Sequence, residues 1–400
     1  MDAGTGSRTV ALVRCGDYER ENVCRAVKRS IELIGGPGAF VAPGEKVFLK
    51  FNLLQGSAPE ACVTTHPAVV YAVARLLKEY GCSVVMGDSP GSGQAYTESV
   101  LRKNYAAAGY DAVSRELGIP LNYDTGSCDL PAPGGTTVKR FSVITPAAEA
   151  DAVVVVSKAK THTLTWLSGA AKNLFGVIPG FEKPFYHGRM PDRDDFCSML
   201  VDLNEAVRPR LQVMDAVMAM EGDGPHAGSP RKIGAVLASG DYTAIDVATA
   251  RLMGFDPMEI GTIRVAAARG LVREDLTDIV MLGDDPAPLV VPDLKRPSTF
   301  YAGGNGSRPA SLRAFAAGAL FALAGAFPPW PRIDTGKCTG CLRCVRSCPK
   351  KTIAVADGKP SIRYGTCIRC YCCHEMCDSH AISLRRSVAG KMIALLAGKE

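Results

Sequence analysis

"DAVVVVSKAK", residues 151–160, is the stretch from which the fold can be read. Four consecutive valines stiffen the backbone towards an extended strand, and no polar residue interrupts them. A strand with one solvated face would alternate, so this run is expected to be buried on both faces, as in a parallel sheet covered by helices on each side. Other runs fall into place around it. Strands are expected at 9–15, 45–54, 82–88, 211–217, 233–239 and 278–283. Helices with apolar residues at helical spacing are expected at 17–35, 66–81, 193–207, 243–253 and 259–269. Alternation of the two predicts an α/β fold, a mostly parallel sheet with helices on both faces.

Such sheets bind ligands beyond the carboxyl ends of their strands. Polar groups gather at those ends. Lys50 and Asn52 follow the second strand, and Asp88 opens "DSPGSG" (88–93) after the third. Lys158, Lys160 and His162 crowd one strand end, with Lys172, Lys183, His187 and Arg189 close behind. A single lysine there would be ordinary surface; this density predicts an anion-binding site. Asp215, Glu221 and Asp223 could handle protons or hold a cation, the alternative for Glu221 and Asp223 being solvated loop acids. Asp246 sits within an expected helix. The glycine-rich 88–93 turn could cradle phosphate or simply turn, and it matches neither a P-loop nor a dinucleotide fingerprint.

The last seventy residues are of a different kind. They hold nine of the fifteen cysteines and a net charge of +8, against −2 for the first 330 residues. Cys338, Cys341, Cys344 and Cys348 stand in C-x2-C-x2-C-x3-C-P, and Cys367, Cys370, Cys373 and Cys377 repeat the spacing with Asp378 in place of the proline. This is the bacterial two-cluster ferredoxin pattern, in which the fourth cysteine of each run ligates the other cluster. One [4Fe-4S] cluster is therefore expected on Cys338, Cys341, Cys344 and Cys377, and a second on Cys367, Cys370, Cys373 and Cys348. Zinc, which also takes four thiolates, seldom shows this triplet-plus-one spacing twice. Cys372 is a spare buried thiol or an alternative ligand, and His374 and His380 are read as local hydrogen-bonding groups. Two oxidised clusters with their thiolates would carry about −4, which offsets much of the basic excess. Nucleic-acid binding is accordingly not expected.

The expected division is an α/β domain over 1–285, a linker with an apolar helix over 286–330, a ferredoxin-like domain over 331–386 and a C-terminal amphipathic helix over 387–400. The apolar run 312–327 is sixteen residues long, short of the ~20 that span a bilayer, so a packed helix is preferred over a membrane-surface element. The N-terminus shows no basic region followed by a long apolar run, and a cytoplasmic location is expected.

Several stretches resemble one known family. "KFNLL" (50–54), "TTHPAVVYAVARLLKEYG" (64–81), "GDSPGSG" (87–93), "SKAKTHTLTWLSGAAKNLFGVIPGFEKPFYH" (157–187), "VMDAVMAMEGDGPHAGSP" (213–230) and "DYTAIDVATARLMGFDP" (241–257) are similar, in order, to the domain-of-unknown-function 362 family. The resemblance implies iron–sulfur proteins, often with a C-terminal two-cluster ferredoxin, and no general reaction. The leading expectation is an iron–sulfur oxidoreductase, two [4Fe-4S] clusters relaying electrons between a protein partner and an anionic small molecule in the large domain. Two others stand beside it: a non-enzymatic electron carrier whose large domain docks a partner protein, and a redox-sensing ligand-binding protein.

Overall fold

The valine run becomes the central strand of an eight-stranded sheet, longer than expected. In this computed structural model, which describes residues 8–91, 93–300 and 328–387, it extends through the two lysines to His162. The large domain runs β1 (Arg8–Arg14), α1 (Arg20–Leu33), β2 (Lys46–Lys50), α2 (Pro67–Glu79), β3 (Ser83–Gly87), α3 (Glu98–Ala107), α4 (Tyr110–Leu117), a hairpin of β4 (Ser127–Pro131) and β5 (Arg140–Ile144), then α5 (Thr145–Ala148). It continues with β6 (Ala152–His162), β7 (Trp166–Leu167), α6 (Ala170–Asn173), α7 (Glu182–Arg189), α8 (Arg193–Val207), β8 (Leu211–Glu221), β9 (Ser229–Ser239), α9 (Tyr242–Leu252), α10 (Gly261–Ala268) and β10 (Ile279–Gly283).

The strand order is β10-β1-β9-β8-β6-β2-β3, with β7 paired to the end of β6. Alternation along β6 explains its composition. Val154 and Val156 face one core with α1 and α2, whereas Val153 and Val155 face another with α8 and the β4–β5 hairpin. Both sides of the strand are dry, and each buried valine contributes roughly 1.5–3 kcal/mol. The mostly parallel arrangement holds for β3, β2, β6 and β8, and for β1 with β10. β9 runs antiparallel to both neighbours. The reason is length: only residues 222–228 join β8 to β9, too few for the crossover a parallel pair needs.

Residues 286–300 lie along the large domain. Gly222 N–H donates to Lys295 O at 2.8 Å, and the Thr299 hydroxyl donates to Thr163 O at 2.6 Å. The Phe300 ring meets Trp166 edge-on at 4.6 Å. The apolar run 312–327 and the C-terminal segment from 388 lie outside the described residues. No helix among the described residues is long and apolar enough to cross a membrane.

The C-terminal domain pairs β11 (Trp330–Ile333) with β14 (Ile382–Arg385), and β12 (Ile353–Ala356) with β13 (Lys359–Ile362). Each cysteine run bends the same way. Leu342 (φ 59°) and Tyr371 (φ 63°) follow the second cysteine in the left-handed region, and each opens a one-turn helix, Arg343–Arg346 or Cys372–Glu375. The domain docks where the sheet's strands end. Gln55 donates to Asp378 Oδ1 at 3.1 Å, Arg386 to Ser298 O at 2.7 Å, and His374 Nε2 lies 3.4 Å from Asp223 O.

Candidate functional site

The polar strand-end residues divide between a closed ion-pair network and a small cavity shared by the two domains. The network holds Lys158 and Asp215. Lys158 Nζ donates to Tyr18 Oη at 2.7 Å and Asp215 Oδ2 at 2.9 Å, and Tyr18 donates to Asp215 Oδ1 at 2.8 Å. His66 stacks on Tyr18 at 3.6 Å, and its backbone N–H donates to Asp215 at 3.0 Å. Both side chains were expected at the ligand site; neither lines the cavity. Glu221 and Asp223 do not line it either. Glu221 accepts from Lys295 N–H at 3.1 Å and Asp223 from Ser298 N–H at 2.7 Å, so both fasten the 286–300 segment. Arg189 also stands outside the cavity, with its guanidinium 6.0 Å from the Phe185 ring centre.

The cavity, about 40 Å³, is lined by Lys160, His162, Lys172, Lys183 and His187 of the large domain and by Glu375 of the cysteine-rich domain. Lys50 and Asp88 build its floor. Lys50 Nζ lies 2.9 Å from Asp88 Oδ1 and donates to Asn173 Oδ1 at 2.7 Å, while Asp88 accepts from the N–H groups of Leu53 and Ser89. Gly176 is required above this pair, because a Cβ there would stand 2.1 Å from the Asp88 carboxylate and 2.5 Å from Lys50 Nζ. Asn52 accepts from Lys160 Nζ at 2.6 Å, and Lys160 also donates to Val63 O. Lys183 donates to Ser89 Oγ at 2.8 Å and Pro90 O at 2.9 Å. Asp246 acts from the next helix: it accepts the N–H groups of Ala170 and Ala171 at 2.6 and 3.1 Å, fixing the short α6 that carries Lys172 and Asn173.

Three lining groups have a buried polar atom with no hydrogen-bond partner among the described residues, and beside them Lys172 Nζ faces aromatic rings. His162 Nδ1 accepts from Leu164 N–H at 2.9 Å, which leaves Nε2 as the protonated nitrogen of the neutral ring. That Nε2 faces Glu375 Oε1 at 3.3 Å without hydrogen-bond geometry, so both atoms stay unsatisfied. His187 is stacked on Phe196 at 4.4 Å and leaves Nδ1 unsatisfied. Lys172 Nζ lies 4.8 Å from the Phe175 ring centre and makes no hydrogen bond. An unpaired buried polar atom costs about 1–3 kcal/mol, so this grouping is costly unless something fills it.

Electrostatics point the same way. Burial, aided by Lys172 and Lys158, brings Lys160 down to about 7. Burial brings Lys183 to about 7 as well and lowers Lys172. His162 and His187 are pushed well below the usual imidazole range by burial and then by Lys172, while burial raises Glu375. The first cause in every case is burial, which disfavours the charged lysines and histidines, with neighbouring lysines adding to it at Lys160, His162 and His187. An anion would offset that penalty.

The cysteines fall into two sets. Burial pushes the Cys344 thiol up to about 11, and the thiols of Cys377, Cys338 and Cys341 add to the rise. Burial raises Cys373 further, with Cys370, Cys367, Cys344 and Cys348 as its thiol neighbours. Cys348, Cys367, Cys370 and Cys373 line a common cavity with Ile353, Ile362 and Tyr371. Four thiols gathered in an apolar shell are a soft donor set, and iron–sulfur clusters are what such sets accommodate. The residues fit two cubanes in crossed arrangement. Among the described residues, no group of three or more His, Cys, Asp or Glu side chains closes around a single metal ion. Cys372 is fully buried, and the neighbouring Cys370, together with burial, pushes its thiol well up.

Residues 47–251 match the family described as Domain of unknown function (DUF362). A thylakoid-associated protein of Synechocystis sp. is 34% identical over 291 residues, covering 72% of this chain and 88% of that protein. The chain belongs to the DUF362 family. This DUF362 protein also matches a 4Fe-4S dicluster domain over residues 331–378, so an iron–sulfur domain follows its α/β domain. The apoprotein of lactate racemase from Thermoanaerobacterium thermosaccharolyticum aligns with a TM-score of 0.37 and 12% identity, over 60% of this chain and 57% of that one. A likeness that slight carries no argument about chemistry.

Glu375 was not singled out in the sequence. It sits between two cysteines in "CYCCHEMC" and would be read there as a solvated acid. Only docking of the two domains brings it to His162.

Proposed function

We propose that this protein is an iron–sulfur oxidoreductase whose buried cavity binds a small anion at the boundary with the dicluster domain. The observation that carries the reading is the set of unsatisfied buried atoms of His162, His187 and Glu375, with the Lys172 ammonium beside them. They line one cavity whose far wall is the one-turn helix bearing Cys373. Cys338, Cys341, Cys344 and Cys377 would hold one [4Fe-4S] cluster, and Cys367, Cys370, Cys373 and Cys348 the second. Bound there, the clusters pass electrons one at a time.

The chain's own residues do the rest. Lys172, whose ammonium faces the Phe175 and Phe196 rings and has no hydrogen bond to give up, binds the anion. His162 Nε2–H donates to it. Lys160, with its proton held near neutrality, gives or takes a proton without moving far, the condition general acid–base work favours. Glu375, whose acidity burial weakens, faces His162 Nε2 across the cavity. The volume of about 40 Å³ has room for roughly three waters, so the ligand is small, a simple carboxylate or inorganic oxyanion.

The test is proton-linked binding. Lys160 is half-protonated near 7 when the cavity holds no anion. An anion favours the protonated form, so binding should take up a proton above pH 7, and affinity should fall as pH rises further. Calorimetry with formate, bicarbonate, nitrate and phosphate, each in two buffers of different ionisation heat, reads this directly. Affinity that is flat from pH 6 to 9, with no proton uptake, would count against the site. Stability has its own sign. Lys160 and Lys183 hold their protons less tightly when folded than the usual ~10.4, so their penalty is full below about 7 and fades as pH rises towards ~10.

A further inference from the structure

A second opening between the domains is unused by the function proposed above. It is a groove of about 570 Å³, within the range of sites for drug-sized ligands. Its large-domain wall is formed by Gln55, Gln94, Lys103 and Asn104, and its other wall by Arg343, Arg346 and Asp378. It reaches the cysteine-rich domain at the helix carrying Cys344, whereas the anion cavity meets that domain at the helix carrying Cys373. The loop forming its floor must pass close to this helix. Gly93 has φ +88°, and a Cβ there would stand 2.9 Å from Ser347 Cβ.

Three features describe what would fill the groove. The first is charge. Arg343 pairs with Asp378, and Arg346 donates one N–H to Cys341 O at 3.2 Å, leaving the rest of its fork. Lys103 makes no hydrogen bond or ion pair among the described residues, so the groove carries a net positive balance matched to a phosphate group. The second is unused hydrogen-bonding capacity. Gln55, only 4% exposed, donates to Asp378 and lies 2.7 Å from His226 Nε2, yet its Oε1 has no partner; nor has His226 Nδ1. These atoms suit a ligand that extends beyond its phosphate and carries its own hydrogen-bonding groups. The third is aromatic surface at the rim, where Phe181 is 48% exposed.

We propose that this groove binds a phosphate-bearing aromatic small molecule of nucleotide size. The phosphate would lie between Lys103 and Arg346, the polar body would meet Gln55 and His226, and a ring would rest on Phe181. The site is independent of the anion cavity, and its failure would leave the oxidoreductase reading untouched.

Flavin mononucleotide, adenosine monophosphate and inorganic phosphate are the probes, titrated by calorimetry into the anaerobically reconstituted full chain. At least one of the two nucleotides should bind in one-to-one ratio, at least tenfold more tightly than phosphate. Lys103→Glu and Phe181→Ala should each weaken it at least tenfold. Both side chains lie on the large domain away from the cysteines, so iron content and melting temperature should stay unchanged; should one variant misfold, the other still decides. No binding of either nucleotide at millimolar concentration would overturn the proposal. So would phosphate binding as tightly as both, or nucleotide binding that neither variant weakens.

Discussion

Replacing Cys373 by serine should cost the protein about half of its iron. Two four-iron clusters amount to about eight irons per chain, and loss of a ligand to one should leave about four or a three-iron remnant. Cys373 is buried among Cys370, Cys367 and Cys348, so a serine hydroxyl would offer the cluster a harder and poorer ligand in the same place. The neighbouring Cys372→Ser should behave differently. Cys372 is fully buried beside Cys370, and the register of the run leaves it outside the four ligands. Its clusters and their spectra should survive. Iron analysis with electron paramagnetic resonance of the reduced protein separates the two variants. Iron loss from Cys372→Ser alone would mean that the ligand register is off by one.

Lys172, which lines the anion cavity, and Lys50, ion-paired to its Asp88, should give opposite phenotypes. Lys50→Ala would strand Asp88, whose carboxylate is only 2% exposed and ion-paired to Lys50 at 2.9 Å. Breaking a buried pair on one side typically costs about 3–5 kcal/mol, a large share of a domain's stability. Lys172→Ala breaks no hydrogen bond or ion pair among the described residues; it gives up contacts with the Phe175 and Phe196 rings, offset by removal of a cation that burial disfavours. Its melting temperature should be unchanged or slightly raised, while anion affinity drops at least tenfold. Denaturant unfolding and calorimetry on both variants check this. A strongly destabilised Lys172→Ala would make that lysine structural.

How far these roles are legible in the sequence depends on how local the physics is. The valine run needs only its own composition to declare a doubly buried strand. The cysteine spacing is likewise local, since a short loop must curl its thiols around one cluster. The antiparallel course of β9 is legible in principle, because a seven-residue link cannot support a crossover. The hairpin β4–β5 is harder to read: its strands are short, and β4 alternates between half-exposed and exposed positions. At the site, Lys158 and Lys160 look equivalent, two residues apart on one strand. Their fates differ because Asp215 and Tyr18 reach one, and Asn52 with the Val63 carbonyl reaches the other. Those partners lie between 57 and 140 residues away, and no local pattern announces them. Glu221 and Asp223 resemble site acids but spend their carboxylates on a returning backbone segment. Glu375 acquires its place only when two domains meet.

The central claim is that clusters and anion cavity act together, and cluster reoxidation tests it most directly. The reconstituted protein would be reduced with dithionite under anaerobic conditions, desalted, and mixed with small carboxylates and inorganic oxyanions while cluster absorbance is followed. The account predicts that at least one of these anions reoxidises the clusters without any added protein, and that Lys172→Ala, with its iron intact, loses this at least tenfold. Clusters that stay reduced with every anion, or that reoxidise equally fast in Lys172→Ala, would contradict it.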